Sequence, residues 1–178
     1  MPNMSARELD PYTTEIPAMR FGELYQYTMF RSVACSPGGL LVAAGGVTSP
    51  TDLKSHRGII FVWNAKTGQQ ISRINPHLED VACVSFSPDG HFLVSSGWWG
   101  NIEIWDVVTG AMVVRIYQPE FMVMSVEFSP YGFYIASGSQ RSFFQGGELV
   151  LWPVAGMLVP HPFPPPWLVD KEFNGARW

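Results

Sequence analysis

The stretch Val81-Ala-Cys-Val-Ser-Phe-Ser-Pro-Asp-Gly90, followed by Asn101-Ile-Glu-Ile-Trp105-Asp106-Val-Val-Thr-Gly110, decides the fold of this chain. Short apolar runs alternate in it with a Ser-Pro-x-Gly turn and a Thr-Gly turn. Runs rich in Val, Ile and aromatic residues that end at Gly, Pro, Asp or Asn predict β-strands between tight turns. Ile102 and Ile104 alternate with polar neighbours, which predicts strands with two distinct faces.

The same pattern occurs three times along the chain. The Ser-Pro-x-Gly turns begin at Ser36, Ser87 and Ser129, and the matching strands end in Trp63, Trp105 and Trp152. The spacing of roughly 42 to 51 residues is in the range of propeller blades and other repeat arrays. A unit of this size cannot bury both of its faces alone, so it must stack on its neighbours.

The repeats resemble the WD-repeat family of β-propellers, most clearly in the middle copy and over about residues 29 to 159. The resemblance implies an all-β fold of about three four-stranded antiparallel blades, in an open or partial propeller. We therefore expect an N-terminal extension (1–28), three repeats (about 29–74, 77–116 and 119–159) and a Pro-rich C-terminal arm (160–178).

The resemblance also implies which residues stabilise each blade. Members of the family often join the strand-end Trp to a Ser or Thr on the second strand, a His before the first strand and an Asp in a turn. In the middle copy Trp99 stands where that Asp is expected, so the set is incomplete. The residues that we expect to be structural are Trp63, Trp105, Trp152, His77, Ser95 and Asp106.

The number of repeats leaves two architectures open, because closed propellers have about four to eight blades. The first is a fourth, split blade formed by both termini, although prolines interrupt the N-terminal piece and the arm contains Pro164-Pro-Pro166. The second, which we prefer, is an open array whose edges are covered by other polypeptide. The chain is 47% hydrophobic and only 15% charged, so it has little charge with which to block association at these edges.

Composition excludes several classes of function. A net charge of −4 argues against nucleic-acid binding, which relies on dense Lys and Arg. The sequence has no apolar run of membrane-spanning length and no secretory signal pattern, so we expect a soluble intracellular protein, with the cytoplasm favoured and an organelle left open. The four His and two Cys lack metal-ligand spacing, and no catalytic motif is present, so we expect neither a cofactor nor an enzyme.

The loops predict a partner-binding rim. In this fold the loops between second and third strands lie on the same rim as the loops between blades, and exposed aromatic and Arg side chains are enriched at binding hot spots. Two further tryptophans lie in the Pro-rich tail. We interpret this tail as an arm that docks on a neighbouring subunit. The alternative is that the tail is a ligand for an SH3 or WW type domain. The candidate partner-binding residues are Trp98, Trp99, Arg141, Phe143, Phe144, Lys54, Arg57, Trp167 and Trp178.

The sequence therefore predicts a non-catalytic protein–protein interaction scaffold within a larger multiprotein assembly, with other subunits covering the blade edges and the rim. The alternative is a recognition module in which Trp98, Trp99 and either Glu103 or Asp52 form a cage for a cationic or modified peptide side chain. An enzyme is the third and least favoured hypothesis.

Overall fold

A computed structural model describes Phe21 and residues 28–49, 57–75, 80–141 and 146–154. This part of the chain contains eleven β-strands in three antiparallel sheets. In chain order the strands are β1 (Thr28–Cys35), β2 (Leu41–Thr48), β3 (Arg57–Asn64), β4 (Gln70–Ile74), β5 (Val81–Phe86), β6 (Phe92–Gly97), β7 (Asn101–Asp106), β8 (Met112–Tyr117), β9 (Phe121–Phe128), β10 (Tyr134–Arg141) and β11 (Gly147–Pro153).

Each sheet is one copy of the repeat, with its strands paired in chain order. Blade 1 contains β1 to β4, blade 2 contains β5 to β8, and blade 3 contains β9 to β11. The all-β blade architecture expected from the sequence is therefore confirmed. A fourth strand of blade 3 would fall beyond residue 154, outside the described residues.

The Ser-Pro-x-Gly turn has the same geometry in all three blades. Its Ser Oγ accepts the backbone N–H of the residue five positions later: Ser36 from Leu41 at 3.0 Å, Ser87 from Phe92 at 2.9 Å and Ser129 from Tyr134 at 3.1 Å. Gly90, at the end of the turn in blade 2, has a φ of 74°, a left-handed conformation that favours glycine. The motif thus closes the hairpin between the first two strands of each blade.

Asp106 and Asn64 organise the turn that precedes the last strand of blades 2 and 1. The Asp106 carboxylate accepts the backbone N–H of Val108 at 3.1 Å, and both the N–H (2.7 Å) and the hydroxyl (2.8 Å) of Thr109. Asn64 Oδ1 accepts two backbone N–H groups in the same way. The hydrogen bonds from Thr109 lower the pKa of Asp106, because they favour its charged form.

Two apolar cores lie between the blades. Trp105 of blade 2 belongs to the core shared with blade 1, whereas Ile102 and Ile104 on the same strand belong to the core shared with blade 3. Both faces of blade 2 are therefore covered. The blades approach so closely that a Cβ on Gly45 would lie 2.6 Å from a methyl carbon of Val81.

Candidate protein-interaction surface

The strand-end tryptophans anchor the blades that present this surface. The indole N–H of Trp105 donates to Ser95 Oγ at 2.8 Å, and that of Trp152 donates to Ser137 Oγ at the same distance. Sequence reasoning identified Ser95 but missed Ser137. The signal was present, because both serines stand eight positions after the Ser of their own Ser-Pro-x-Gly turn.

Blade 1 stabilises its tryptophan differently. The position equivalent to Ser95 holds Ala44, which cannot accept a hydrogen bond from Trp63. The Trp63 ring instead stacks on Phe61, with ring centroids 5.5 Å apart, and also contacts Phe30 and Phe21. An aromatic cluster therefore replaces the polar contact. His77, the remaining member of the expected set, lies outside the described residues.

A shallow aromatic groove lies at the rim between blades 2 and 3. Trp98 and Trp99 form the turn between β6 and β7, and their side chains are 42% and 70% exposed. The groove has a volume of about 310 Å³. We call it the rim groove, and its lining residues are Trp98, Trp99, Tyr117, Glu120, Phe121 and Met122. The second-to-third-strand turn of blade 2 and the connection between blades 2 and 3 thus share one rim.

The backbone of Gly100 positions the two tryptophans. Gly100 has a φ of 84°, and its carbonyl accepts the N–H of Gln118 at 2.8 Å. A Cβ at this position would lie only 1.9 Å from the carbonyl oxygen of Gln118. Only glycine fits this contact, which fixes the Trp98-Trp99 turn against the connection that leads to blade 3.

Arg31 of β1 connects blade 1 to the Trp98 side of the rim groove. Its guanidinium lies 5.2 Å from the centre of the Trp98 ring and forms an ion pair with Asp80, with a closest N–O distance of 2.6 Å. The hydrogen bond to Asp80 raises the pKa of Arg31, so this cation stays charged. Sequence reasoning missed Arg31, because no local pattern distinguishes an inter-blade partner from an ordinary surface arginine.

Arg141, a predicted partner-binding residue, lies at the other end of the rim groove. It is paired with Glu120, and its guanidinium is 5.7 Å from the centre of the Phe121 ring. The hydrogen bond to Glu120 raises the pKa of Arg141. Glu120 has a φ of 71°, which is uncommon for a residue other than glycine, so the connection between blades 2 and 3 is locally constrained at the groove.

Glu103 is not an exposed carboxylate of the rim, which corrects one member of the proposed cage. It is only 3% exposed, and its Oε1 lies 2.8 Å from a guanidinium nitrogen of Arg115 on the adjacent strand β8. Glu103 lies on β7, and both faces of blade 2 are covered by the neighbouring blades. The carboxylate that lines the groove is that of Glu120.

Of the remaining candidate partner-binding and cage residues, the structure describes only Arg57. Arg57 begins β3, where it is exposed and paired in register with Thr48. The others lie outside the described residues: Asp52, Lys54, Phe143, Phe144, Trp167 and Trp178.

The described residues contain no group of three or more His, Cys, Asp or Glu side chains that could hold a metal ion. Cys35 is exposed, whereas the Cys83 thiol donates to the carbonyl of Val126 at 3.5 Å. In the same part of the chain, no helix has the length and apolar character needed to cross a membrane.

Successive antiparallel sheets of four, four and three described strands, each with a tryptophan at the end of its third strand, have the architecture of blades of the WD-repeat β-propeller class. In agreement, residues 68–106 match the family model of the WD domain, G-beta repeat, which confirms the resemblance seen in the sequence.

Two curated proteins are similar to a 69-residue part of this chain. The Periodic tryptophan protein 2 homolog of Neurospora crassa is 36% identical over 69 residues, and Periodic tryptophan protein 2 of Saccharomyces cerevisiae is 32% identical over 69 residues. Each match covers 39% of this chain but only 7% of the relative. The similarity therefore covers only a small part of the length of either relative.

Proposed function

We propose that this protein is a non-catalytic protein–protein interaction scaffold that acts as a subunit of a larger multiprotein assembly. The match to the WD-repeat family model and the similarity to the Periodic tryptophan proteins support the scaffold role. The net charge of −4 agrees with protein rather than nucleic-acid partners. We place its work inside the cell, in the cytoplasm or in an organelle.

The rim groove is the single observation that carries this proposal. Two adjacent tryptophans are exposed together there, beside further aromatic side chains, on a turn that Gly100 holds in one conformation. Tryptophan and tyrosine supply large contact areas at a low cost in conformational entropy, which is why they are enriched at binding hot spots. A preformed turn also limits the entropy that is lost when a partner docks.

The alternative, a cage for a cationic peptide side chain, receives less support. Arg31 already covers the Trp98 ring, and Arg141 is already paired with Glu120 beside Phe121. A cationic ligand would therefore have to displace cations that belong to the protein itself. A partner that packs its own apolar surface over Trp99 meets no such competition.

The proposal extends to candidate contacts beyond the groove. Arg141 and Arg57 are exposed at loop-facing ends of strands, and we include them in the surface. We also include, on sequence grounds, the loop residues Lys54, Phe143 and Phe144 and the tail residues Trp167 and Trp178. In this proposal the tail is an arm that docks on a neighbouring subunit.

Affinity isolation of the full chain from its source organism tests the proposal, with wild type compared with Trp99→Ala. We expect Trp99→Ala to lose a defined set of copurifying proteins. The matched control is Tyr131→Ala, because Tyr131 is an exposed aromatic residue outside the groove. If both variants retain the same proteins as wild type, the groove is not the partner surface. If wild-type partners persist and only binding of a trimethyl-lysine peptide is lost, the cage is the better description.

A further inference from the structure

The charged groups at the rim groove are paired within the chain. Glu120 is the one charged residue among those that line the groove, and it is paired with Arg141. Arg31, which lies over the Trp98 ring, is paired with Asp80. A charged side chain from a partner would have to break one of these pairs or stay unpaired itself. The segment that fills the groove should therefore be uncharged.

The exposed aromatic rings of the groove carry hydrogen-bond donors. Trp98, Trp99 and Tyr117 are all exposed, and each has one N–H or O–H group on its ring. None of the three donates this hydrogen to another described residue, whereas the indoles of Trp105 and Trp152 each donate to a serine. A donor that a partner covers must find an acceptor, because a buried donor without one costs its full desolvation. The partner should therefore supply acceptors.

Gln118 holds the connection between blades 2 and 3 in place beside these rings. The side-chain Nε2 of this buried residue donates to Ser139 Oγ at 3.3 Å and to Glu148 Oε2 at 3.1 Å, both on blade 3. Its backbone N–H donates to Gly100 on the blade 2 side. The connection is thus joined to both blades, and the groove is rigid. A ligand that is rigid as well loses the least conformational entropy on binding there.

We propose that the rim groove binds a proline-rich segment of a partner protein in the polyproline II conformation. This inference rests on the proposed function, because it names the kind of partner that the same groove takes. Proline has an apolar ring and a carbonyl acceptor but no backbone N–H. The polyproline II helix makes no internal hydrogen bonds, so its carbonyls are free to accept from the indole and phenol groups. It is also preformed, and prolines dock into aromatic-lined grooves in general.

Other uncharged segments match the groove less well. An extended peptide of ordinary residues brings one backbone N–H per residue, and the carboxylate that lines the groove is already paired with Arg141. An amphipathic helix satisfies its own backbone carbonyls internally, so it would leave the indole and phenol donors without acceptors. The proline-rich segment is the one that offers acceptors and apolar rings together and brings few donors.

Binding of a fluorescein-labelled decaproline peptide to the full chain tests the proposal, with fluorescence anisotropy as the measurement. A Gly-Ser peptide of the same length and label is the control ligand. We expect decaproline to bind and the Gly-Ser peptide not to bind. Trp99→Ala should weaken decaproline binding at least about tenfold, as at an aromatic hot spot. Tyr131→Ala removes an exposed aromatic residue outside the groove and should leave binding unchanged.

Tyr117→Phe tests the hydrogen bond separately from the ring. This change keeps the aromatic area and removes only the hydroxyl, so binding should weaken about two- to tenfold. Its matched control is Tyr131→Phe, which should bind as wild type does. Circular dichroism of every variant checks that the β-sheet is retained. A Tyr117→Phe protein with wild-type affinity would remove the donor argument and, with it, the proposal.

Three further results would overturn the proposal. The first is equal binding of the decaproline and Gly-Ser peptides, and the second is decaproline binding that Trp99→Ala leaves intact. The third is decaproline binding that appears only after Pro164, Pro165 and Pro166 are replaced by Ala, because the occupant is then the proline run of this same chain. If decaproline does not bind but Trp99→Ala still loses copurifying proteins, this inference fails and the proposed function stands. If Trp99→Ala changes neither, both fail.

Discussion

At the scale of single residues, the strand-end tryptophan of each blade has an indole N–H that needs a hydrogen-bond acceptor where it is buried. Blades 2 and 3 supply a serine hydroxyl, and blade 1 supplies an aromatic cluster around Trp63 instead. A buried donor without an acceptor costs the full desolvation of that group. The serine should therefore matter most where the tryptophan is most deeply buried.

Replacing Ser95 by Ala tests this expectation. Trp105 is buried, so its N–H would lose its acceptor away from water, and the free energy of unfolding should fall by about 1–3 kcal/mol. The matched variant Ser137→Ala should cost less, because the Trp152–Ser137 pair is only partly buried. Urea unfolding followed by tryptophan fluorescence measures both. Equal losses in the two blades would contradict the role of burial.

Asp106 gives a prediction about pH. Hydrogen bonds lower its pKa in the folded state, so it stabilises the fold above the ordinary Asp pKa of about 3.9, and this contribution is lost as the pH falls through the lowered value. Asp106→Asn should remove this part of the pH dependence, yet keep the turn, because Asn64 caps the equivalent turn of blade 1. Asp106→Ala should weaken the turn at every pH. Thermal unfolding of all three proteins between neutral and acidic pH is the measurement; parallel curves for wild type and Asp106→Asn would contradict the prediction.

At the residue scale, the sequence can indicate a contact that a local motif determines, but not one that depends on a neighbouring blade. The partner of Trp105 and the turn at Asp106 follow from positions within one repeat. The burial of Glu103 and the inter-blade position of Arg31 do not, because they depend on which blade covers which face. Ser137 was within reach of the sequence, since aligning the three copies from their turns identifies it.

At the scale of elements, the turn between β6 and β7 depends on a glycine at position 100. Substitution of Gly100 is the least tolerated among the described glycines near the rim groove. A Cβ on Gly100 meets the Gln118 carbonyl, and its φ is unfavourable for other residues. Gly100→Ala should therefore lower the free energy of unfolding by at least about 2 kcal/mol and change the emission of Trp98 and Trp99.

Gly146→Ala is the matched control for Gly100→Ala. Gly146 also has a positive φ, of 94°, but nothing lies within 4 Å of an added Cβ. Only the backbone cost remains, about 1 kcal/mol, and the rim tryptophans should keep their emission. A Gly100→Ala protein as stable as the Gly146→Ala control would mean that the Gln118 contact does not hold the turn. The sequence alone cannot rank the two glycines, because the rank depends on the Gln118 carbonyl in the connection to blade 3.

At the scale of the whole molecule, the same residue type occupies two equivalent positions with different surroundings. An added Cβ on Gly45 of blade 1 would lie 2.6 Å from a methyl carbon of Val81 in blade 2, whereas a Cβ on Gly138 of blade 3 would meet nothing closer than Ser125 at 3.9 Å. The repeat pattern alone predicts the three blades and their order. It does not say which faces are covered, because that depends on what stands beside the first and the last blade.

The free energies of unfolding of the Gly45→Val and Gly138→Val variants test this difference between the two positions. Gly45→Val should force blades 1 and 2 apart and lower the free energy of unfolding by about 1–3 kcal/mol. Gly138→Val should leave the free energy of unfolding unchanged or slightly higher, because valine favours strands and an added Cβ has room at this site. If Gly138→Val instead destabilises the monomer as much as Gly45→Val does, another segment of the same chain must already cover blade 3, and the array is closed from within.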